Sequence, residues 1–205
     1  MVGAARHPPV RAQCAGCASA PAARVCFSGA PCIMRRPPKV LRRPMFKPQH
    51  QLRQPDPLVA GTSGRDGSAP ITLEEQHDWV AGIQLSSRTP QEVLTAFDAA
   101  RNAFVYAWFS YDLAELAEAQ AFKAVELAMR LRLGARAQPK DTFTPLIQKA
   151  VKDGLLKDPP GGPPLTLALR LMRNDRAHPS RTRLNPAQTV MTLELCSQVI
   201  TELYP

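Results

Sequence analysis

Apolar residues recur every three or four positions through the last two-thirds of the chain, and this repeat places them along one face of an α-helix. The clearest stretch has Val93, Phe97, Ala100, Phe104 and Trp108 at spacings of four, three, four and four. Gly and Pro divide the repeat into separate segments. Residues 71–205 are therefore predicted to form an all-α domain, a small bundle of four main helices plus a short one.

Capping residues mark the starts of two helices. Thr72 and Glu75 have the spacing of a capping box, in which each side chain bonds to the other residue's backbone N–H, and they open a short first helix. Thr89, Pro90 and Glu92 give a second start signal, with Thr89 as the cap and Pro90 in the first turn. This second helix is expected to run to about residue 110.

The longest helix is predicted from Asp112 to Leu133, with Ser110 or Asp112 as its cap and Gly134 as its stop. It has two apolar stripes. One comprises Leu113, Leu116, Ala117, Ala124, Leu127 and Leu131, and the other comprises Phe122, Val125, Met129 and Leu133. A helix that is apolar on two sides lies at the centre of its own bundle or shares one side with a partner chain.

A shorter helix is predicted to open at Thr144 and Pro145 and to stop at Gly154. The sequence Asp-Pro-Pro-Gly-Gly-Pro-Pro at residues 158–164 then breaks the chain. Leucines alternate over residues 165–171, as they would in a strand. We predict a helix there, because Leu, Ala, Arg and Met are helix formers and the domain offers no other strand to pair with.

The last helix is expected to be capped by Asn185 and to begin at Pro186. Its predicted buried stripe consists of Val190, Leu193, Cys196, Ile200 and Leu203. Cys196 lies within that stripe, so a buried free thiol is expected.

Residues 1–70 have a different composition. They hold 11 of the 21 prolines and eleven Lys or Arg against only Asp56 and Asp66, so the net charge of +9 belongs to this segment. We predict a disordered basic tail, which in one alternative adds salt-sensitive attraction to nucleic acid. A translation start at Met34 or Met45, or an organelle transit peptide, would also account for this composition.

Four cysteines, at positions 14, 17, 26 and 32, lie in this tail. Cys14 and Cys17 form a CxxC pair, so a zinc knuckle is an alternative, but the spacing of the four fits no zinc pattern and we expect no metal site. No cofactor is expected either. No apolar run is long enough to cross a membrane, and no secretory signal begins the chain. A cytoplasmic protein is therefore expected.

The motif that carries chemistry is Arg173-Asn174-Asp175-Arg176-Ala177-His178. A spacing of five places two side chains about 140° apart on an unbroken helix. Pro179 disfavours helix at the residue before it, so the helix is expected to end around His178 and to let the imidazole turn toward Arg173. At that position the helix dipole favours the protonated imidazole.

Arginine beside a chargeable histidine can cleave RNA without a metal. The 2′-hydroxyl would attack the adjacent phosphate, His178 would move the proton, and Arg173 would stabilise charge on the phosphate oxygens. Asn174 would orient Arg173 or bind a phosphate oxygen. The nearby arginines that would steer the RNA backbone are Arg176, Arg181 and Arg183. Neither a Gly-rich phosphate loop nor a Ser–His–Asp arrangement occurs in the sequence.

This motif resembles the R-x(4–6)-H motif of the HEPN superfamily (higher eukaryote and prokaryote nucleotide-binding domain). Asn174 matches the polar residue that follows the arginine in the family. The resemblance covers roughly residues 75–204, and residues 119–134 and 143–156 are similar to the long and short helices that precede the motif. It implies an RNase site made by two motif copies in a homodimer, with Arg173 and His178 catalytic and Asn174 in support.

The resemblance also implies a biological setting. Many HEPN proteins are toxins of toxin–antitoxin or other defence systems, so RNA and an antitoxin protein are the expected partners. The alternative is a non-catalytic HEPN-like module that binds RNA, a nucleotide or a protein through the same patch. A third hypothesis is an unrelated helical interaction domain, in which Arg173 and His178 lie far apart.

Overall fold

Helices account for most of the chain that the structure, a computed structural model, describes: residues 46–62, 70–157, 164–177 and 186–205. These ranges contain no β-strand, so the all-α prediction is confirmed for them. The α-helices are α1 (Pro57–Ala60), α2 (Leu73–Ala81), α3 (Gln91–Tyr106), α4 (Asp112–Leu133), α5 (Phe143–Lys152), α6 (Leu165–Ala177) and α7 (Pro186–Leu203). The predicted helices correspond to α2–α7: the short first helix is α2, the shorter helix at Thr144 is α5, and the others are α3, α4, α6 and α7. These are six helices, one more than the predicted count of four main helices and a short one. The capping box opens α2, and α1 is an addition.

Helix α4 lies at the centre of the bundle, where it contacts α3, α5, α6 and α7. Its second predicted stripe is buried in full, but the first stripe is buried only in part. Leu116 and Leu131 are 59% and 45% exposed. The buried line runs instead through the small residues Ala114, Ala117, Ala121, Ala124 and Ala128. Alanines let neighbouring helices approach closely, and the leucines beside this row are left at its edge.

The helix boundaries follow the predicted signals with small shifts. The Thr72–Glu75 capping box is present, with the Thr72 hydroxyl accepting from the Glu75 N–H at 3.1 Å. Helix α3, however, begins one residue later than predicted, with Pro90 as its N-cap. Thr89 is buried and does not cap the helix. Helix α5 begins at Phe143, one residue before the predicted Thr144. Gly134 and Gly154 follow α4 and α5 as predicted, both with positive φ.

The compact helical unit begins at Phe46, so residues 46–62, which were predicted to lie in the tail, belong to this unit. Asp56 joins this segment to the turn between α3 and α4. Its backbone N–H donates to the Trp108 carbonyl at 2.8 Å, and its carboxylate accepts from the Leu58 N–H at 2.9 Å and the Tyr111 N–H at 3.0 Å. Tyr111 is the N-cap of α4 and caps it with no side chain of its own. The acceptor at this point therefore comes from Asp56 and not from the predicted Ser110 or Asp112.

The last helix packs against α4 along the predicted stripe. Leu193, Cys196, Ile200 and Leu203 are buried, and Val190 is partly buried. Beyond the helix, the Tyr204 hydroxyl donates to the Ala128 carbonyl of α4 at 3.0 Å. Asn185, the predicted cap, and residues 1–45, predicted as disordered, lie outside the described residues. In the described part of the chain, every helix is too short or too polar to span a bilayer.

We expect Asp56→Ala to lower the free energy of unfolding by about 1–3 kcal/mol, because it leaves the buried N–H of Tyr111 without its acceptor. Chemical denaturation followed by circular dichroism measures this loss. Asp78→Ala is the matched control, since Asp78 is highly exposed and its loss should change stability by less than about 0.5 kcal/mol. Equal stability of the two variants would contradict the assigned role of Asp56.

Candidate functional site

Helix α6 carries the first part of the predicted motif. The segment with alternating leucines is a helix and not a strand. Leu169 is fully buried and Met172 packs against the core, whereas Leu167 and Leu171 are 36% and 56% exposed. Leu169 and Met172 are three residues apart and share the face that packs toward α4 and α5. On the opposite face of α6, the described side chains Leu167, Arg170, Leu171 and Asn174 are exposed.

Arg173 lies one turn beyond Leu169, at the edge of the buried face. Its guanidinium carbon is 5.8 Å from the centre of the Phe143 ring, within the range of a cation–π interaction. Phe143 is 2% exposed, and its ring meets that of Phe122 edge-on, with 5.9 Å between the centroids. Two aromatic rings, from α5 and α4, thus form the support on which Arg173 rests. Among the side chains that the structure describes, no carboxylate pairs with Arg173.

Asn174 points away from that support. It is exposed, and it lies four residues after the exposed Arg170 on the same side of α6. Neighbouring residues on a helix are about 100° apart, so Asn174 and Arg173 leave the helix in different directions. The structure therefore places Asn174 at the open face and Arg173 against α5.

Most of the remaining predicted site residues lie outside the residues that the structure describes. Helix α6 continues through Arg176 as far as Ala177. His178, Arg181 and Arg183 lie outside the described residues. The predicted pairing of Arg173 with His178 accordingly stays a prediction.

The segment that leads into Phe143 is fixed by a network centred on Asp141. The Asp141 carboxylate accepts from the Lys149 ammonium and from the Gln138 N–H, the latter at 2.7 Å. Arg130 of α4 donates to the Asp141 carbonyl and pairs with Glu126 at 2.9 Å. The pKa of Asp141 is lowered mainly by the hydrogen bond from Lys149, and to a smaller extent by the hydrogen bond from the Gln138 N–H. Asp141, two residues before Phe143, is therefore bonded to Arg130 of α4 and to Lys149 of α5.

Glu118 is a buried carboxylate that the sequence analysis did not single out. It is 1% exposed and lies on α4 one turn before Phe122. Burial raises the pKa of the Cys196 thiol far above its usual range, and the charge of Glu118, on the helix that packs against α7, raises it further. Cys196 is a buried free thiol, as predicted. Glu118 takes part in a further contact as well, as a buried charge requires.

The sequence contained a signal for Glu118. It lies three or four residues from Ala114, Ala121 and Phe122, so it shares one side of the helix with these apolar side chains. A carboxylate within a buried row of this kind is rare without a partner.

A polar groove of about 260 Å³ lies between α2 and α3. Its polar side chains are His77, Asp98, Arg101 and Asn102. Arg101 donates to the carbonyls of Val80 and Ala81, both at 3.2 Å, and to Asp98 at 3.0 Å. Its guanidinium therefore satisfies the last carbonyls of α2, and this explains the charge in the groove by helix capping.

Comparisons of the chain with family models, curated proteins and solved structures found no match. The HEPN resemblance thus depends on the motif and the helix order. In the described part of the chain no group of His, Cys, Asp and Glu side chains is arranged to hold a metal ion. Cys14, Cys17, Cys26 and Cys32, the alternative zinc ligands, lie outside the described residues.

Asp141→Asn should destabilise the protein at neutral pH and have a smaller effect in acid. A carboxylate whose pKa is lowered by folding contributes stability above its unfolded pKa of about 3.9, and this contribution is lost as the pH falls through the folded pKa. Urea denaturation of both proteins at pH 7 and near pH 3 measures the difference. A constant difference across this range would contradict the role assigned to the Asp141 charge.

Lys149→Met serves as the matched control. Because Lys149 and Asp141 form one pair, the double variant should be less destabilised than the sum of the two single variants.

Proposed function

We propose that this protein is a metal-independent endoribonuclease of the HEPN type. The observation that carries the proposal is the placement of Arg173, a partly buried arginine whose guanidinium rests on Phe143 and has no carboxylate partner among the side chains that the structure describes. An arginine that is held in place but not neutralised is suited to bind a phosphate oxygen through its planar fork. The family motif assigns the same residue to catalysis.

The proposed reaction is an internal transesterification. The 2′-oxygen attacks the adjacent phosphorus, the bond to the 5′-oxygen breaks, and the products are a 2′,3′-cyclic phosphate and a 5′-hydroxyl. The imidazole of His178 accepts the proton from the 2′-hydroxyl or donates one to the leaving 5′-oxygen. Arg173 stabilises the negative charge that develops on the phosphate oxygens. Asn174, on the exposed face of α6, binds a phosphate oxygen of the same strand, and Arg176, Arg181 and Arg183 attract the backbone.

A homodimer would supply both proton-transfer groups at once, since each copy contributes one His178. The exposed face of α6 supports this part of the proposal. Leu167 and Leu171 are one turn apart on that face, and Asn174 follows within one turn of Leu171. Exposed leucines beside a predicted site are typical of a surface that a partner covers.

The same proposal includes a biological role. Uncontrolled cleavage of RNA harms the cell that makes the enzyme, so the protein would act in the cytoplasm as a toxin or defence component and would be held inactive by an antitoxin protein. The non-catalytic HEPN-like module is the second outcome of the experiments below.

Purified protein should cleave single-stranded RNA in the presence of EDTA and release 2′,3′-cyclic phosphate ends. Arg173→Ala should lower the rate about 100-fold or more, as expected for loss of a group that stabilises the transition-state charge. His178→Ala should lower it about 100- to 10,000-fold through loss of proton transfer. Gel electrophoresis of end-labelled RNA gives the rates and the ends.

Arg132→Ala is the matched control for Arg173. Arg132 also lies over an aromatic ring, at 5.7 Å from the centre of Tyr204, but it is not in the motif. The control should keep its activity. RNA left intact by the folded parent dimer would refute the ribonuclease proposal, and RNA binding that survives His178→Ala would then favour the non-catalytic module.

Leu171→Glu should convert the proposed dimer to a monomer and abolish cleavage, because it places a charge in the centre of the covered face of α6. Light scattering after size-exclusion chromatography measures the mass. Leu116→Glu is the control, since Leu116 is exposed to a similar extent, 59% against 56%, on α4. A parent protein that is monomeric at micromolar concentration, or a dimer that tolerates Leu171→Glu, would exclude this interface.

A further inference from the structure

Charge is unevenly distributed within the helical unit, although residues 69–205 as a whole are neutral. Residues 71–125 contain eight acidic and three basic residues, whereas residues 126–157 contain three acidic and seven basic ones. The second segment comprises the end of α4, the turn after it and α5. Positive charge is therefore concentrated on the part of the bundle that also supports Arg173.

The acidic residues of this segment are all engaged by its own basic residues. Glu126 pairs with Arg130 at 2.9 Å, Asp153 pairs with Arg136 at 2.8 Å, and Asp141 pairs with Lys149. These pairs hold the connection between α4 and α5 in place. The positive charge that remains is consequently carried by other side chains.

On the connection between α4 and α5, on α5 and on α6, three exposed cations have no ion pair among the side chains that the structure describes: Lys140, Lys152 and Arg170. Lys140 lies directly before Asp141, in the connection fixed by the ion pairs. Lys152 lies in the last turn of α5, a helix about 15 Å long. Arg170 lies one turn before Arg173 on α6, which packs against α5. We refer to Lys140, Lys152 and Arg170 as the α5 basic surface.

The chemistry of this surface fits a polyanion better than a protein or a membrane. The large exposed apolar side chains nearest to this surface are Leu131 of α4 and the two leucines of α6 assigned above to the dimer, Leu167 and Leu171. Residues 132–157, which contain Lys140 and Lys152, have no large exposed apolar side chain. An apolar anchor is what a protein partner or a lipid surface would need there. Exposed aromatic rings, on which bases would stack, are also lacking in this segment, since Phe143 is buried. The surface offers cations and no exposed aromatic ring, so it would contact phosphates and not bases.

We propose that Lys140, Lys152 and Arg170 bind the sugar–phosphate backbone of an RNA strand and lead it to Arg173, without selecting its sequence. This inference rests on the proposed function in naming RNA as the polyanion. The ion pairs around Asp141 contribute by fixing Lys140 relative to α5 before RNA binds, which reduces the ordering cost of binding.

The test is RNA binding by the full chain carrying His178→Ala, so that cleavage does not interfere. The probes are fluorescent 20-nucleotide oligouridine and oligoadenosine, titrated at several salt concentrations and followed by anisotropy. Adding Lys140→Gln, Lys152→Gln and Arg170→Gln should weaken binding of both probes by the same factor. It should also reduce the slope of log K against log salt by about 2, because each single-strand phosphate contact contributes about 0.7.

The matched control removes the same charge elsewhere, with Arg53→Gln, Arg88→Gln and Lys123→Gln. These three residues are exposed and lie outside residues 126–177. The control should keep the parent's slope and affinity, and the basic tail is identical in all the proteins compared. A control that loses as much slope as the test variant, or a test variant that loses none, would overturn the proposed surface.

The outcomes also separate the two proposals. Loss of binding in the test variant, together with no cleavage by the chain that retains His178, would support the surface and refute the ribonuclease. Cleavage by the parent, together with unchanged binding in the test variant, would refute the surface and support the ribonuclease. Probe-dependent losses that differ between uridine and adenosine would show base contacts and overturn the backbone assignment.

Discussion

Close packing along the alanine row of α4 is the constraint on which the rest of the bundle depends. Ala117, Ala121 and Ala124 are fully buried, so α4 meets its neighbours almost at the backbone. Small residues shorten the distance between helix axes, and this allows one helix to contact four others. Larger side chains in that row would push the neighbouring helices apart. The positions of α5 and α6, and therefore of Arg173, follow from this central contact.

The residues of the candidate site become less buried with distance from the core. Phe122 and Phe143 are almost fully enclosed, Arg173 is partly enclosed, and Asn174 is exposed. A cation on a buried aromatic ring keeps its charge while losing part of its side-chain freedom. The hydrogen bonds of Asp141 to Lys149 and Arg130 fix the chain two residues before Phe143, and so help to hold the Phe143 ring in place. The guanidinium is thus positioned by apolar and ionic contacts together.

Much of this fold was accessible from sequence because its signals are local. The capping box at Thr72, the stop at Gly134 and the stripe of α7 involve residues within a few positions of each other. The errors have non-local causes. Leu116 belongs to a good stripe but lies at the edge of the contacts that α4 makes, and Asp56 bonds to Tyr111, 55 positions away along the chain. Local patterns carry no information about such partners.

The candidate site divides in the same way. Helix-forming residues, and not spacing, correctly indicated the helix that carries Arg173. Neither the ring of Phe143 beneath Arg173 nor the burial of Glu118 was predicted, since both depend on how α4, α5 and α6 pack. Periodicity shows which side of a helix is apolar. It does not show which residue of another helix that side meets.

The complete burial of Cys196 has a consequence for how the core opens. A thiol reacts with alkylating reagents as the thiolate, and at Cys196 that anion would have to form in an apolar interior beside a carboxylate. Cys196 is therefore chemically silent while α7 is seated on α4. Cys196 is alkylated only in molecules in which α7 has separated from α4. The rate of its alkylation therefore measures how often these two helices separate.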